Sequence, residues 1–116
     1  MKNRNVPKCI VVLVTCPTRT VARRIARALV TRRLAACVNV LPGIESTFQW
    51  KGKINRSPEV LLLIKTTRRR FSSLATALVR LHPYDVPEVI ALPLVAGHPP
   101  YLTWVRRVVS PSVPRS

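Results

Sequence analysis

The apolar residues of this chain fall into continuous runs and periodic patterns that predict strands and helices in alternation. Residues 9–16 are a continuous run rich in β-branched side chains, which is typical of a strand buried on both faces. After Pro17 and Thr18, which suit the start of a helix, apolar side chains recur at helical spacing. This spacing predicts an amphipathic helix with arginines on its outer side. Its apolar positions are Val21, Ile25, Ala28 and Leu29.

A long β-hairpin is predicted next. Residues 34–41 form an apolar strand that ends at a bend at positions 42–43, where proline and glycine suit a turn. Residues 44–50 alternate apolar and polar side chains, and a glycine turn follows at residues 51–53. The returning strand is the apolar segment 59–65.

Three arginines at positions 68–70 precede a second amphipathic helix, which ends at His82 because the residue before a proline disfavours helical geometry. Its apolar positions are Phe71, Leu74, Leu78 and Leu81. Residues 89–95 predict a fourth strand, in which Pro93 indicates a sheet edge or a strand end. A last short helix is predicted over residues 101–109.

This order of elements predicts an α+β fold, a ferredoxin-like βαββαβ sandwich with a long β-hairpin and an added C-terminal helix. We expect one domain at residues 9–109, a basic N-terminal extension at 1–8 and a tail at 110–116. The first and third strands are apolar on both sides, yet both main helices lie on one face of such a sheet. Nothing else in the chain is expected to cover the second face, so another copy of the chain should cover it.

The charge balance is strongly basic, with 20 Lys and Arg against 4 Asp and Glu and a net charge of +16. This charge predicts nonspecific attraction to polyanions at low salt. A hydrophobic content of 47% argues against disorder, and every apolar run is far shorter than the ~20 residues that span a membrane. The N-terminus lacks the features of a secretory signal, so we predict a cytoplasmic location.

The three cysteines are predicted to be reduced thiols, because their number is odd and no CxxC motif is present. Cys9 and Cys16 end one strand on opposite faces, about 23 Å apart, and cannot bridge. Cys37 lies in the middle of an apolar strand, where a buried thiol is inert, so its pairing with His82 does not predict a catalytic site. We expect a binding protein rather than an enzyme.

The richest cluster of candidate ligands follows the second helix. The imidazole of His82 and the carboxylates of Asp85 and Glu88 could bind a divalent cation, with Cys16 as a further candidate. The alternative is a structural turn in which Tyr84 packs and both acids pair with arginines. No resident cofactor is required by either interpretation.

Several segments resemble the CutA family of divalent-cation tolerance proteins, in the order and spacing of that family. They are IARALV at 25–30, LAACVN at 34–39, SxFxWxGKI at 46–54, EVLLLIKT at 59–66, HPYDVPE at 82–88 and YLxW at 101–104. The resemblance covers nearly the whole chain. It implies a trimer whose long hairpins pair between subunits, and a role in tolerance of copper and other divalent metals.

The resemblance also implies a ligand cleft between subunits, with Cys37, Trp50, Lys65 and Tyr84 as the candidate residues. Lys65 could hold an anionic ligand there, and an ordinary ion pair between subunits is the alternative role for that lysine. For the candidate metal ligands His82, Asp85, Glu88 and Cys16, the possible ion is copper(II) or another divalent cation. Bacterial members that bind copper carry a cysteine late in the first strand and two consecutive histidines, whereas this chain has Val14 and a Leu81-His82 pair there. Of the three positions that supply these ligands in the bacterial members, only the one at His82 has the same residue type in this chain.

A nucleic-acid-binding protein is the alternative function, since ferredoxin-like sheets also bind RNA and the net charge is suitable. The central strand, however, reads VLLLI at residues 60–64 and has no aromatic ring on which a base could stack. The arginines also fall on the predicted helices rather than on the sheet.

Overall fold

The computed structural model describes residues 6–111. Within them the chain forms a four-stranded sheet and three α-helices, and a 3₁₀ turn at Arg68–Arg70 directly precedes the second helix. The elements are β1 (Cys9–Cys16), α1 (Arg19–Thr31), β2 (Cys37–Trp50), β3 (Lys53–Thr67), α2 (Phe71–Leu81), β4 (Ile90–Pro93) and α3 (Pro99–Val109). The predicted order of elements is confirmed. The expected N-terminal extension and tail lie largely outside the described residues.

The sheet is antiparallel throughout and its strands follow the order β2-β3-β1-β4. This order, with α1 and α2 packed on one face, confirms the predicted ferredoxin-like α+β fold. Strand β4 is an edge strand and ends at Pro93, as the missing N–H group of proline predicts.

The hairpin of β2 and β3 gives the molecule its longest dimension, 52 Å. Its turn lies at Lys51 and Gly52, which both have positive φ (52° and 77°), the geometry that matches the twist of paired strands. The bend predicted at residues 42–43 is a bulge within β2, where the register shifts and Gly43 has a φ of 85°. The hairpin is therefore longer than predicted, because pairing continues on both sides of this bulge.

Several element boundaries differ from the predictions. Strand β2 begins at Cys37, because the N–H groups of Leu34 and Ala35 bind the carbonyl of Leu29 and close the end of α1. Strand β3 begins at Lys53, six residues before the predicted start at Glu59, since it pairs with β2 down to the turn. Strand β4 covers only four residues.

The main core lies between the sheet and the helices α1 and α2. Each helix contributes two fully buried side chains to this core, Ile25 and Leu29 from α1 and Leu74 and Leu78 from α2. The strands contribute Val12, Val14, Leu62 and Ile64. Alternate residues of the predicted two-sided strands therefore fill this core.

The second face of the sheet is partly covered by the chain itself, so the expectation that nothing would cover it is wrong in part. Helix α3 packs there, and Cys9, Ala36, Val105 and Val109 form a second buried cluster. The remaining apolar residues of this face are only half-buried. They are Val11, Leu13, Leu61 and Leu63.

Candidate functional site

The segment that follows α2, residues 82–88, is anchored at its start by His82. The Nδ1 atom of this buried imidazole accepts a hydrogen bond from the Tyr84 N–H group at 3.1 Å. The Nε2 atom must then carry the proton, and it donates to the carbonyl oxygen of Thr15 at 2.8 Å. The rings of His82 and Tyr84 also stack at a tilt, with centroids 4.6 Å apart. Both nitrogens of the imidazole are thus used within the chain.

Tyr84 connects this segment to a buried carboxylate. Its hydroxyl group donates to Oε2 of Glu59 at 2.6 Å, and Glu59 is only 8% exposed, at the point where β3 passes from its exposed half to its buried half. Burial and the hydrogen bond to Glu59 both raise the pKa of the Tyr84 hydroxyl. Burial, reinforced by the charge of Glu59, raises the pKa of the Cys16 thiol to about 11. Cys16 is therefore protonated at neutral pH.

The predicted metal ligands do not form a complete site within one chain. Across residues 6–111 no group of three or more His, Cys, Asp and Glu side chains could hold a metal ion. The imidazole of His82 faces inward to β1 and Cys16 is fully buried, whereas Asp85 and Glu88 are exposed. Both ring nitrogens of His82 are used in hydrogen bonds inside the chain, whereas the two carboxylates face the surface.

The four residues of the predicted ligand cleft are also spread out in the single chain. Cys37 and Lys65 are cross-strand neighbours, and the Lys65 ammonium donates to Oδ1 of Asn39. Trp50 lies at the hairpin turn, about 40 Å further along β2 at 3.3 Å per residue. Tyr84 contacts Glu59 instead, so Glu59 and Lys65 have different partners in the chain.

The bond between Tyr84 and Glu59 is the contact of this region that sequence reasoning missed. One signal for it was present, because Glu59 is a lone carboxylate directly before five apolar strand residues. A carboxylate in such a place needs a hydrogen-bond donor when it is buried. The sequence could not identify the donor, since Tyr84 lies 25 positions further along the chain.

No helix within the described part of the chain is long and apolar enough to cross a membrane.

Comparisons with known proteins agree on one family. The family described as "CutA1 divalent ion tolerance protein" matches residues 10–108. The chain is 55% identical over 96 residues to the "Protein CutA homolog" of Xenopus laevis, covering 83% of this chain and 64% of that protein. It is 51% identical over 96 residues to the "Divalent-cation tolerance protein CutA" of Thermus thermophilus, covering 83% of this chain and 93% of that protein.

Solved structures agree with the sequence relatives. The crystal structure of CutA1 from Oryza sativa superposes with a TM-score of 0.88 at 42% identity, covering 92% of this chain and 98% of that one. The family match at residues 10–108 includes all six segments on which the resemblance was based. The chain belongs to the CutA1 family of divalent ion tolerance proteins.

Proposed function

We propose that this chain is one subunit of a homotrimer that binds divalent metal ions, copper(II) among them, as part of the tolerance of such ions. The description of the matching family and the name of the Thermus thermophilus relative both refer to tolerance of divalent ions. The observation that carries the proposal is the loop at residues 82–88. Two of the four acidic residues in a chain of net charge +16, Asp85 and Glu88, lie there and are exposed.

The trimer is supported by apolar surface that a monomer would leave in water. Phe48, Trp50 and Ile54 of the hairpin are 43%, 54% and 78% exposed. Strand β4 is an exposed edge, and the second face of the sheet is only half-buried beyond α3. Unpaired edges and large apolar patches favour association with another copy.

A shared site also explains how an ion could be held although one chain supplies too few ligands. The hydrogen bonds of His82 and Tyr84 fix the loop, and Asp85 and Glu88 supply carboxylate oxygens at its surface. A second copy and water complete the coordination. The same association brings the separated cleft residues Trp50, Lys65 and Tyr84 toward one another from different subunits.

Binding rather than catalysis is the proposed activity. Burial raises the pKa of both the Cys9 and the Cys16 thiol, the opposite of what a nucleophilic cysteine needs. All three cysteines are free thiols, which is consistent with the reducing cytoplasm as the proposed compartment.

Calorimetric titration with copper(II) tests the proposed site. Asp85→Asn and Glu88→Gln should each weaken binding about tenfold, because each removes a charged oxygen ligand. Glu45→Gln is the matched control, since Glu45 is an exposed carboxylate on the hairpin and should leave the affinity unchanged within about twofold. Equal affinities for all variants would place the site elsewhere, and a wild-type protein that binds no divalent ion would refute the function.

The nucleic-acid-binding alternative receives no support from the relatives described above. The arginines of α1, such as Arg23, Arg24 and Arg27, are exposed and form a positively charged surface. We propose that polyanions are attracted to this surface by charge alone, without recognition of sequence.

A further inference from the structure

The outer surface of helices α1 and α2 carries positive charge without any acidic residue. Both helices pack on one face of the sheet, and their buried side chains belong to the main core. Helix α1 contains four arginines and α2 contains one, and neither contains Asp or Glu. The four acids of the chain lie on the hairpin strands and in the loop at residues 82–88. We call the exposed side of the two helices the basic helical face; its members are Arg19, Arg23, Arg27 and Val30 on α1 and Ser72, Thr76, Val79 and Arg80 on α2.

The arginines of this face are spread along α1 rather than gathered at one point. Arg19, Arg23 and Arg27 are exposed and follow one another at intervals of four residues, so they share one side of the helix. Each such step advances about 6 Å along the helix axis. The fourth arginine, Arg24, is engaged within the chain, since its Nη2 atom donates to the carbonyl oxygen of Leu81 at 3.3 Å. A row of separate cations suits an extended anionic surface better than it suits one small anion.

Each helix also exposes one valine beside these charges. Val30 lies three residues after Arg27 on the same side of α1 and is 40% exposed, and Val79 precedes Arg80 on α2 and is 49% exposed. The interfacial region of a bilayer accepts both cations and apolar side chains, whereas a phosphate backbone in water offers only charge. Phe71, the one aromatic residue of the two helices, packs against the core, so no ring on this face could stack on a base.

The basic helical face stays accessible in the proposed trimer. The surfaces that support association are the hairpin, the edge of β4 and the second face of the sheet. Helices α1 and α2 cover the opposite face of the sheet. Association through those apolar surfaces therefore leaves the arginines of α1 turned outward.

We propose that the basic helical face docks onto a membrane surface rich in anionic phospholipid. The arginines contact the lipid phosphates, and the two exposed valines enter the headgroup region. Each arginine near such a surface strengthens binding about fivefold. The proposal rests on the polyanion attraction proposed above, to which it assigns one partner, and it is independent of the binding of metal ions.

Co-sedimentation with phospholipid vesicles tests this docking. The wild type should bind vesicles of phosphatidylcholine mixed with phosphatidylglycerol but not vesicles of phosphatidylcholine alone, and the binding should weaken as the salt concentration rises. The double variant Arg23→Gln/Arg27→Gln should bind about 25-fold more weakly, since each arginine contributes about fivefold. The matched control Arg56→Gln/Arg107→Gln removes the same charge from exposed positions on β3 and α3, and it should change the affinity less than about twofold.

A second variant separates a membrane from a nucleic acid as the partner. Val30→Thr/Val79→Thr keeps the charge and nearly the shape of both side chains but makes them less apolar. It should bind the anionic vesicles about threefold more weakly than the wild type does, while its affinity for duplex DNA stays unchanged. Circular dichroism verifies that each variant is folded, and light scattering verifies that its assembly matches that of the wild type.

Equal binding to neutral and anionic vesicles, or an equal loss of affinity in the control variant, would overturn the proposal. So would a valine variant that keeps the full affinity for anionic vesicles. A wild type that binds duplex DNA but not anionic vesicles would overturn the membrane as the partner and leave the polyanion attraction standing. A wild type that binds neither would refute both.

Discussion

From the sequence, His82 is a candidate metal ligand and Tyr84 a candidate residue of the ligand cleft. In the fold, both side chains make hydrogen bonds that hold the loop at residues 82–88 to the rest of the chain. His82 spans from Thr15 to Tyr84 through its two nitrogens, and Tyr84 reaches Glu59. Each buried polar atom in this chain of contacts has a partner, as a low-dielectric surrounding requires. The carboxylates of Asp85 and Glu88 remain at the surface as a result.

The buried thiol of Cys16 should make the protein less stable at alkaline pH. Burial raises its pKa from the ordinary value of 9.0 to about 11, so the unfolded chain loses this proton at lower pH than the folded chain. The stabilising contribution is complete below pH 9 and is lost as the pH rises toward 11. The loss should be on the order of 2 kcal/mol in the free energy of unfolding.

Urea unfolding of wild type and Cys16→Ala, at about pH 8 and about pH 11, measures this contribution. The wild type should lose more stability between the two conditions than the variant, while Cys37→Ala, a matched thiol deletion, should follow the wild type. Because Cys9 is present in both proteins and its pKa shift does not involve Cys16, its effect cancels in the comparison. The same pH dependence in wild type and Cys16→Ala would contradict the assignment.

At the scale of elements, the two main helices begin in different ways. Helix α1 has an N-cap, Thr18, whose Oγ1 atom accepts a hydrogen bond from the Val21 N–H group at 3.2 Å. Helix α2 follows three arginines and has no side-chain cap. Local stabilisation is therefore built into the start of α1, whereas α2 depends on the burial of Leu74, Ala77 and Leu78.

Loss of the α1 cap should be measurable. Thr18→Ala should lower the free energy of unfolding by about 1 kcal/mol, because it leaves the Val21 N–H group without its side-chain acceptor. Thr20→Ala is the matched control, an exposed threonine in the first turn of the same helix, where alanine is a better helix former. Urea denaturation of the three proteins at one protein concentration makes the comparison. Equal stability of Thr18→Ala and wild type would show that the cap is dispensable.

At the scale of the whole molecule, a long hairpin with exposed aromatic residues extends from a small sandwich. Its far end is not covered by other parts of the described chain, and Phe48 and Trp50 lie on one side of it. An isolated two-stranded ribbon is only marginally stable in water, so we expect the hairpin to be stabilised by contacts with other copies of the chain.

We expect light scattering to give about three times the chain mass of 13.0 kDa at moderate salt. Phe48→Lys should shift the assembly toward smaller species on dilution, because a buried phenylalanine contributes about 2 kcal/mol per copy. Val79→Lys is the control, since Val79 is similarly exposed, at 49% against 43%, but lies on the outer side of α2. A wild-type chain that stays monomeric at micromolar concentration would refute the trimer.

The sequence by itself determined the order of elements, the ferredoxin-like class and the core faces of both helices. These follow from local rules, because apolar periodicity, Pro17-Thr18 before α1 and glycine at position 52 act within a few residues. The family motifs were likewise readable without any structure.

Tertiary structure alone decided which polar groups meet. The bond from Tyr84 to Glu59 joins residues 25 positions apart, and the contact of His82 with Thr15 joins residues 67 apart. The packing of α3 on the second face of the sheet, which brings Arg106 near Arg69 and Arg70, depends on the path of the whole chain. Local patterns carry no information on such distances, because the register and crossing of the elements set them only when the core closes.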